Sequence, residues 1–86
     1  MKKSLYAMRD IKQGFLTPFT EIKDDIAMRN FDVACKRNEI VFFNPADFSL
    51  WKIGYMDDDS GVISPLDPPV WMMDAIDHRK DDEKND

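Results

Sequence analysis

Apolar residues recur at helical spacing in one stretch of this chain. Between Asp24 and Arg37, the residues Ala27, Met28, Phe31, Ala34 and Cys35 fall three and four apart and form a narrow apolar stripe. Asp24 or Asp25 reads as the N-cap. On the polar face Asp25 precedes Arg29 by four, and Asp32 precedes Lys36 by four, each acid N-terminal to its base. Lys36 and Arg37 suit the negative end of the helix dipole, and Asn38 can close the helix in the left-handed conformation. A single helix can cover one face of one sheet, so the flanking segments must supply that sheet.

They read that way. In the segment from Ser4 to Arg9, Leu5 and Ala7 fall on one side, Tyr6 and Met8 on the other. The run from Asp10 to Gly14 is a turn with glycine at its end, and Phe15 to Ile22 returns as a second strand. Pro18 has no amide hydrogen, which marks that strand as an edge or bulged one. Ile40 to Phe43 is apolar, and Asn44-Pro45-Ala46-Asp47 reads as a single capped turn. From Ser49 to Met56 the pattern alternates, with Trp51, Ile53 and Tyr55 on one side and Leu50, Lys52, Gly54 and Met56 on the other. Asp57 to Gly61 is a turn, and Val62 starts the returning strand.

Pro65 and the pair Pro68-Pro69 interrupt regular structure beyond that strand, and Val70 to Ile76 is apolar again. The expected architecture is α+β: an antiparallel sheet of about four strands (hairpin, helix, hairpin) with one helix on a face and an extended C-terminal arm over residues 66–76. Residues 1–76 make one domain, and 77–86 are expected to be a charged, disordered tail.

The charge balance limits the partners. The formal net charge is -5, and the last six residues hold four acids and one lysine, which leaves eleven bases against thirteen acids in the body. Strong duplex-DNA binding needs several concentrated cations, so this balance admits only weak or partner-assisted contact with nucleic acid. Cys35 is the single cysteine and can form no internal disulfide. With no signal-peptide pattern and no apolar run near the length of a membrane span, the expected setting is the cytoplasm, with no membrane partner.

No catalytic residue, metal ligand set, cofactor site or small-molecule substrate is expected. Asp57-Asp58-Asp59-Ser60-Gly61 starts like a calcium loop, but its sixth position is Val62 and its twelfth is Pro68, so the turn of a hairpin is the reading. His78 stands at the start of the charged tail, where nothing holds a general base in place. Cys35 lies at a helix C-terminus, where the dipole disfavours a thiolate, and reads as a small core residue.

Two surfaces are open to association. Tyr6, Trp51 and Tyr55 can form a base-stacking platform with Lys3, Arg9 and Lys52 to meet phosphates, or the same rings can be buried beneath the helix. Val70, Trp71, Met72 and Met73 after the double proline can pack on the chain's own sheet or on a second subunit, which would give a dimer.

Several stretches are similar to the small nonstructural protein of the gokushoviruses, single-stranded DNA bacteriophages of the Microviridae. They are Leu5-Tyr6-Ala7-Met8-Arg9-Asp10 with Phe15-x-x-Pro-Phe19, then Ala27-Met28-Arg29-Asn30-Phe31, then Asn44 to Gly54, and finally the acidic turn with Gly61-Val62-Ile63. The resemblance spans residues 5 to about 76. It implies a non-enzymatic phage protein of the bacterial host cytoplasm, acting on viral DNA replication or the switch to single-strand synthesis and packaging. Single-stranded DNA or a replication protein is then the expected partner. The alternative expectation is a dimeric protein-interaction module directed at a host factor.

Overall fold

The computed structural model describes residues 1–76. Strand β1 (Lys2–Asp10) is followed by two short strands, β2 (Gly14–Phe15) and β3 (Phe19–Glu21), and both pair antiparallel with β1. Helix α1 (Asp24–Arg37) and a one-turn helix α2 (Glu39–Phe43) come next, then a 3₁₀ turn over Pro45–Asp47. Strands β4 (Phe48–Asp57) and β5 (Ile63–Asp74) complete an antiparallel sheet in the order β2-β1-β4-β5, with β3 beside β1. The expected α+β architecture is the one observed. Pro18 splits the second strand into two pieces, in keeping with its missing amide hydrogen.

The stripe on α1 holds the helix to the sheet. Ala27, Phe31 and Cys35 are buried with Tyr6, Val41, Phe48, Leu50 and Ala75, and Met8, Leu16, Phe19, Met28, Met72 and Met73 pack around them. Burying Phe31 contributes about 2–3 kcal/mol. The half-exposed Asp32–Lys36 pair, at 4.0 Å, contributes only a few tenths. Apolar burial wins by nearly an order of magnitude.

Both helix ends differ from expectation. Lys23 occupies the N-cap of α1 and, having no side-chain acceptor, makes no capping hydrogen bond, while the Asp24 carboxylate is turned to the sheet. Asn38 is extended (φ -94, ψ 114), and its side chain accepts hydrogen bonds from the amides of Ile40 and Val41. It therefore caps the start of α2 instead of closing α1 in a left-handed turn. That cap makes the apolar run Ile40–Phe43 helical.

The arm is a strand. Of the residues expected to form the extended arm, 66–76, those up to Asp74 belong to β5, which folds back on β4 and becomes an edge of the sheet, so the arm packs on the chain's own sheet. The two strands approach closely at Gly54, where a Cβ would stand 2.5 Å from the Ser64 carbonyl oxygen. The ladders break next to it. Tyr6 pairs with Lys52 and Leu5 with Gly54, so Ile53 is an extra residue against β1. On the other side Leu66 to Pro69 bulge between the pairs Lys52–Val70 and Gly54–Pro65.

One polar cluster crosses the helix–sheet interface. The Tyr6 side chain has no solvent exposure, and its hydroxyl donates to Asp24 Oδ1 at 2.5 Å. Lys52 Nζ reaches the same oxygen at 2.8 Å. Burial, reinforced by the Asp24 carboxylate, pushes the Tyr6 hydroxyl up to about 12. Lys52 first, and then Tyr6, hold the Asp24 carboxyl below its usual range.

The close approach at Gly54 and the buried Tyr6 hydroxyl each have a measurable effect on stability. Gly54→Ala should lower stability by about 1–3 kcal/mol, the range for overpacking, because a backbone carbonyl must move; the urea midpoint of purified protein measures it. Because the folded pKa of Tyr6 is raised, its neutral form stabilises the fold fully below about pH 10, and that contribution is lost as pH rises toward 12. Denaturant midpoints of wild type and Tyr6→Phe should differ by a constant amount up to pH 10. The wild type should then lose ground; parallel curves to pH 12 would contradict the linkage.

Candidate nucleic-acid interface

The two faces of the sheet are sorted by strand alternation. On β1, Ser4, Tyr6 and Met8 point to the helix, and Lys3, Leu5, Ala7 and Arg9 point the other way. Leu5 and Ala7 are buried although neither belongs to the core cluster under α1. On that second face Arg9 lies opposite both Phe15 and Ser49, Ala7 opposite Trp51, and Trp51 opposite Trp71.

The result is a row of three rings across four strands. Phe15 and Trp51 meet edge to face with centroids 6.0 Å apart, and the Arg9 guanidinium stands 6.0 Å from the Phe15 centroid. Trp51 Nε1 donates to Ser49 Oγ at 2.8 Å, and Trp71 Nε1 donates to Asp74 Oδ1 at 2.9 Å. These bonds fix the indole planes. Phe15 is 46% and Trp71 51% exposed, and Trp51 is half-buried between them. Lys3 and Arg9 add positive charge, with Asp74 the acid beside Trp71.

The structure divides the residues expected to form a stacking platform. Lys3, Arg9 and Trp51 stand on the uncovered face. Tyr6 is in the core and has no surface to offer a base. Lys52 is on the helix side, engaged with Asp24 and 5.9 and 5.8 Å from the ring centroids of Tyr6 and Tyr55. Tyr55 is half-buried on that same side. The physical reason is the bulge: the extra residue Ile53 reverses the alternation, so Tyr55 falls with Lys52 and not with Trp51.

The arm residues divide as well. Met72 and Met73 pack against the core, and Val70 and Trp71 are exposed on the edge strand. Trp71, paired with Trp51, thus joins the aromatic row. Phe15 was not among the residues expected at this surface, yet a signal for it is present in the chain. The hairpin turn ending at Gly14, with φ +93, places Phe15 directly across from Arg9.

The remaining candidates offer no comparable surface. The carboxylates of Asp57, Asp58 and Asp59 lie close enough to share an ion, with ligand atoms within 4.8 Å. They are already employed in the turn. Asp57 accepts from the amides of Asp59 and Ser60, which hold its carboxyl low, and Asp58 accepts from the Met1 amino group at 2.8 Å, which does the same. Cys35 is buried, and that burial, with Asp32 nearby, pushes its thiol up to about 11. His78 and the tail 77–86 lie outside the described residues. No helix among the described residues is long and apolar enough to cross a membrane.

No curated protein and no solved structure matches the chain. A family model does. The Phage ORF5 protein family is matched over residues 3–78, which takes in all of the sheet but its first residue, both helices and the aromatic row, and the chain belongs to that family of bacteriophage proteins.

Proposed function

We propose that this phage protein is a non-enzymatic accessory factor that holds single-stranded DNA weakly on the uncovered sheet face. In doing so it modulates viral DNA replication or the switch to single-strand synthesis and packaging, in the host cytoplasm, as its resemblance to the small nonstructural proteins of the gokushoviruses (Microviridae) implies. The observation that carries this reading is the row Phe15, Trp51 and Trp71 with Arg9 at one end, on the face that neither described helix covers. Each base has a π-face, so ring stacking grips single strands of any sequence and leaves stacked duplex bases aside. Lys3 and Arg9 supply two phosphate contacts against a net charge of -5, which keeps the affinity low and releasable.

A second reading is favoured by one observation. β5 is an edge strand with Val70 47% and Trp71 51% exposed, a surface suited to a dimeric module that engages a host factor.

Fluorescence anisotropy of a labelled oligo-dT at two salt concentrations separates the two readings. Stacking predicts saturable binding whose logarithm falls against log salt with a slope of about -1.4, the value for two phosphates on a single strand. Trp51→Ala or Trp71→Ala should each weaken binding by about tenfold, in line with roughly 1–3 kcal/mol per stacked base. Tyr55→Ala, on the other face, should leave it unchanged. Absence of binding at low salt, with a dimer by light scattering that Trp71→Ala dissociates, would move the function to the second reading.

A further inference from the structure

The uncovered face of the sheet is ordered along its strands as well as across them. Among the paired residues of this face the cations are Arg9 and Lys3, and both stand on β1. The large apolar side chains stand to one side of that strand. Trp51 and Trp71 lie on β4 and β5 at the level of Ala7. Met56 and Ile63 lie on the same two strands at the level of Lys3, with Met56 half-buried and Ile63 56% exposed. Strand alternation thus divides the face lengthwise, with charge on β1 and apolar surface on its neighbours.

The acids bound this face. Asp74, opposite Ser49 and bonded to Trp71 Nε1, stands at the β5 end of the ring row. A DNA backbone that followed the row away from Arg9 would run onto that carboxylate. Lengthwise the course is clear: between Arg9 and Lys3 no acid occurs among the paired residues of this face. Glu21, beside Ser4, is turned to the helix side, where it accepts from Asn30 at 2.9 Å. Past Lys3 the Asp57–Asp59 turn lies against the start of β1, with the Asp58 amide donating to the Met1 carbonyl oxygen at 3.1 Å. Three successive carboxylates there end any course that a phosphate could follow.

We infer that single-stranded DNA lies lengthwise on this face, its backbone over β1 from Arg9 to Lys3 and its bases over β4 and β5. This rests on the single-strand reading above and adds to it a course and a length. Neighbouring strands are about 5 Å apart, so β5 lies about 10 Å from β1, a distance that a nucleotide spans from phosphate to base. Arg9 and Lys3 are six residues apart on β1, about 20 Å along an antiparallel strand. At the stacked spacing of about 3.4 Å per nucleotide that is about six nucleotides, and fewer when the bases are splayed. Trp51 and Trp71 stack bases near the Arg9 end, and Met56 and Ile63 offer apolar contact near the Lys3 end.

The probe is labelled oligo-dT of graded length, titrated with the full chain and followed by anisotropy. Affinity should climb with length and level off near about six nucleotides. With an oligonucleotide longer than that, Lys3→Gln should bring the salt slope from about -1.4 to about -0.7, the loss of one phosphate contact. Ile63→Lys, at an exposed position beside the course, should strengthen binding and steepen the slope to about -2.1. The same charge placed on the helix side by Val33→Lys, at a residue 41% exposed, should change neither. An unchanged slope in Lys3→Gln, or equal effects of Ile63→Lys and Val33→Lys, would overturn the lengthwise course. If Trp51→Ala still weakened binding in that case, stacking itself would stand. Absence of binding at every length would overturn both.

Discussion

The arrangement of this protein depends on how Tyr6 is buried. A tyrosine at the centre of a small sheet brings a large apolar ring into the core, but its hydroxyl must find a partner there. Asp24 provides it from the first residue of α1, and Lys52 on the neighbouring strand balances the carboxylate. Three elements meet at one oxygen atom: β1, β4 and the helix start. The Tyr6 ring also stacks on Phe19 with centroids 5.6 Å apart, and Asn30 of α1 donates to Glu21 of β3 at 2.9 Å. The helix is thereby committed to one face, and with one long helix among the described residues the opposite face is left without cover.

The consequence for function runs through that asymmetry. Leu5 and Ala7, at the foot of the uncovered face, are buried, while Phe15, Trp51 and Trp71 lie across it with the two indole nitrogens tied to Ser49 and Asp74. A ring whose polar edge is already hydrogen-bonded within the protein costs little to place against another flat surface, because no further desolvation of the N–H is required. The positions of these rings are set by strand register, so the row is as rigid as the sheet that carries it. A preorganised platform of modest charge is suited to repeated, reversible contact more than to tight retention.

Much of this was legible in the residues and some was not, for identifiable reasons. The stripe Ala27, Phe31, Cys35 marked the helix, though not the residues that cap it, because 14 residues of periodicity outweigh local propensity. Pro18, Gly14 and the Asp57–Gly61 turn marked the strand breaks through backbone chemistry that acts locally. The faces of β4 were not legible beyond Lys52, since a bulge at Ile53 depends on the pairing across the ladder and leaves little trace in its own strand. For the same reason Tyr55 looked like a companion of Trp51. The short helix α2 was missed because a single turn has no period to read, and its start depends on which of two neighbouring helices the Asn38 side chain serves.

That last ambiguity also decides what the short helix shows to solvent. An asparagine that closed α1 in a left-handed turn would have left residues 39–43 free to continue as an apolar strand and add to the sheet. By capping α2 instead, Asn38 turns the same residues into a helix that buries Val41 and gives Ile40 and Phe43 to solvent. Folding alone does not require this, since polar side chains at positions 40 and 43 would satisfy the same cap and the same core contact through Val41. Exposed large apolar side chains lower solubility without strengthening the core. Their exposure follows from which helix Asn38 caps, and not from any demand of the core.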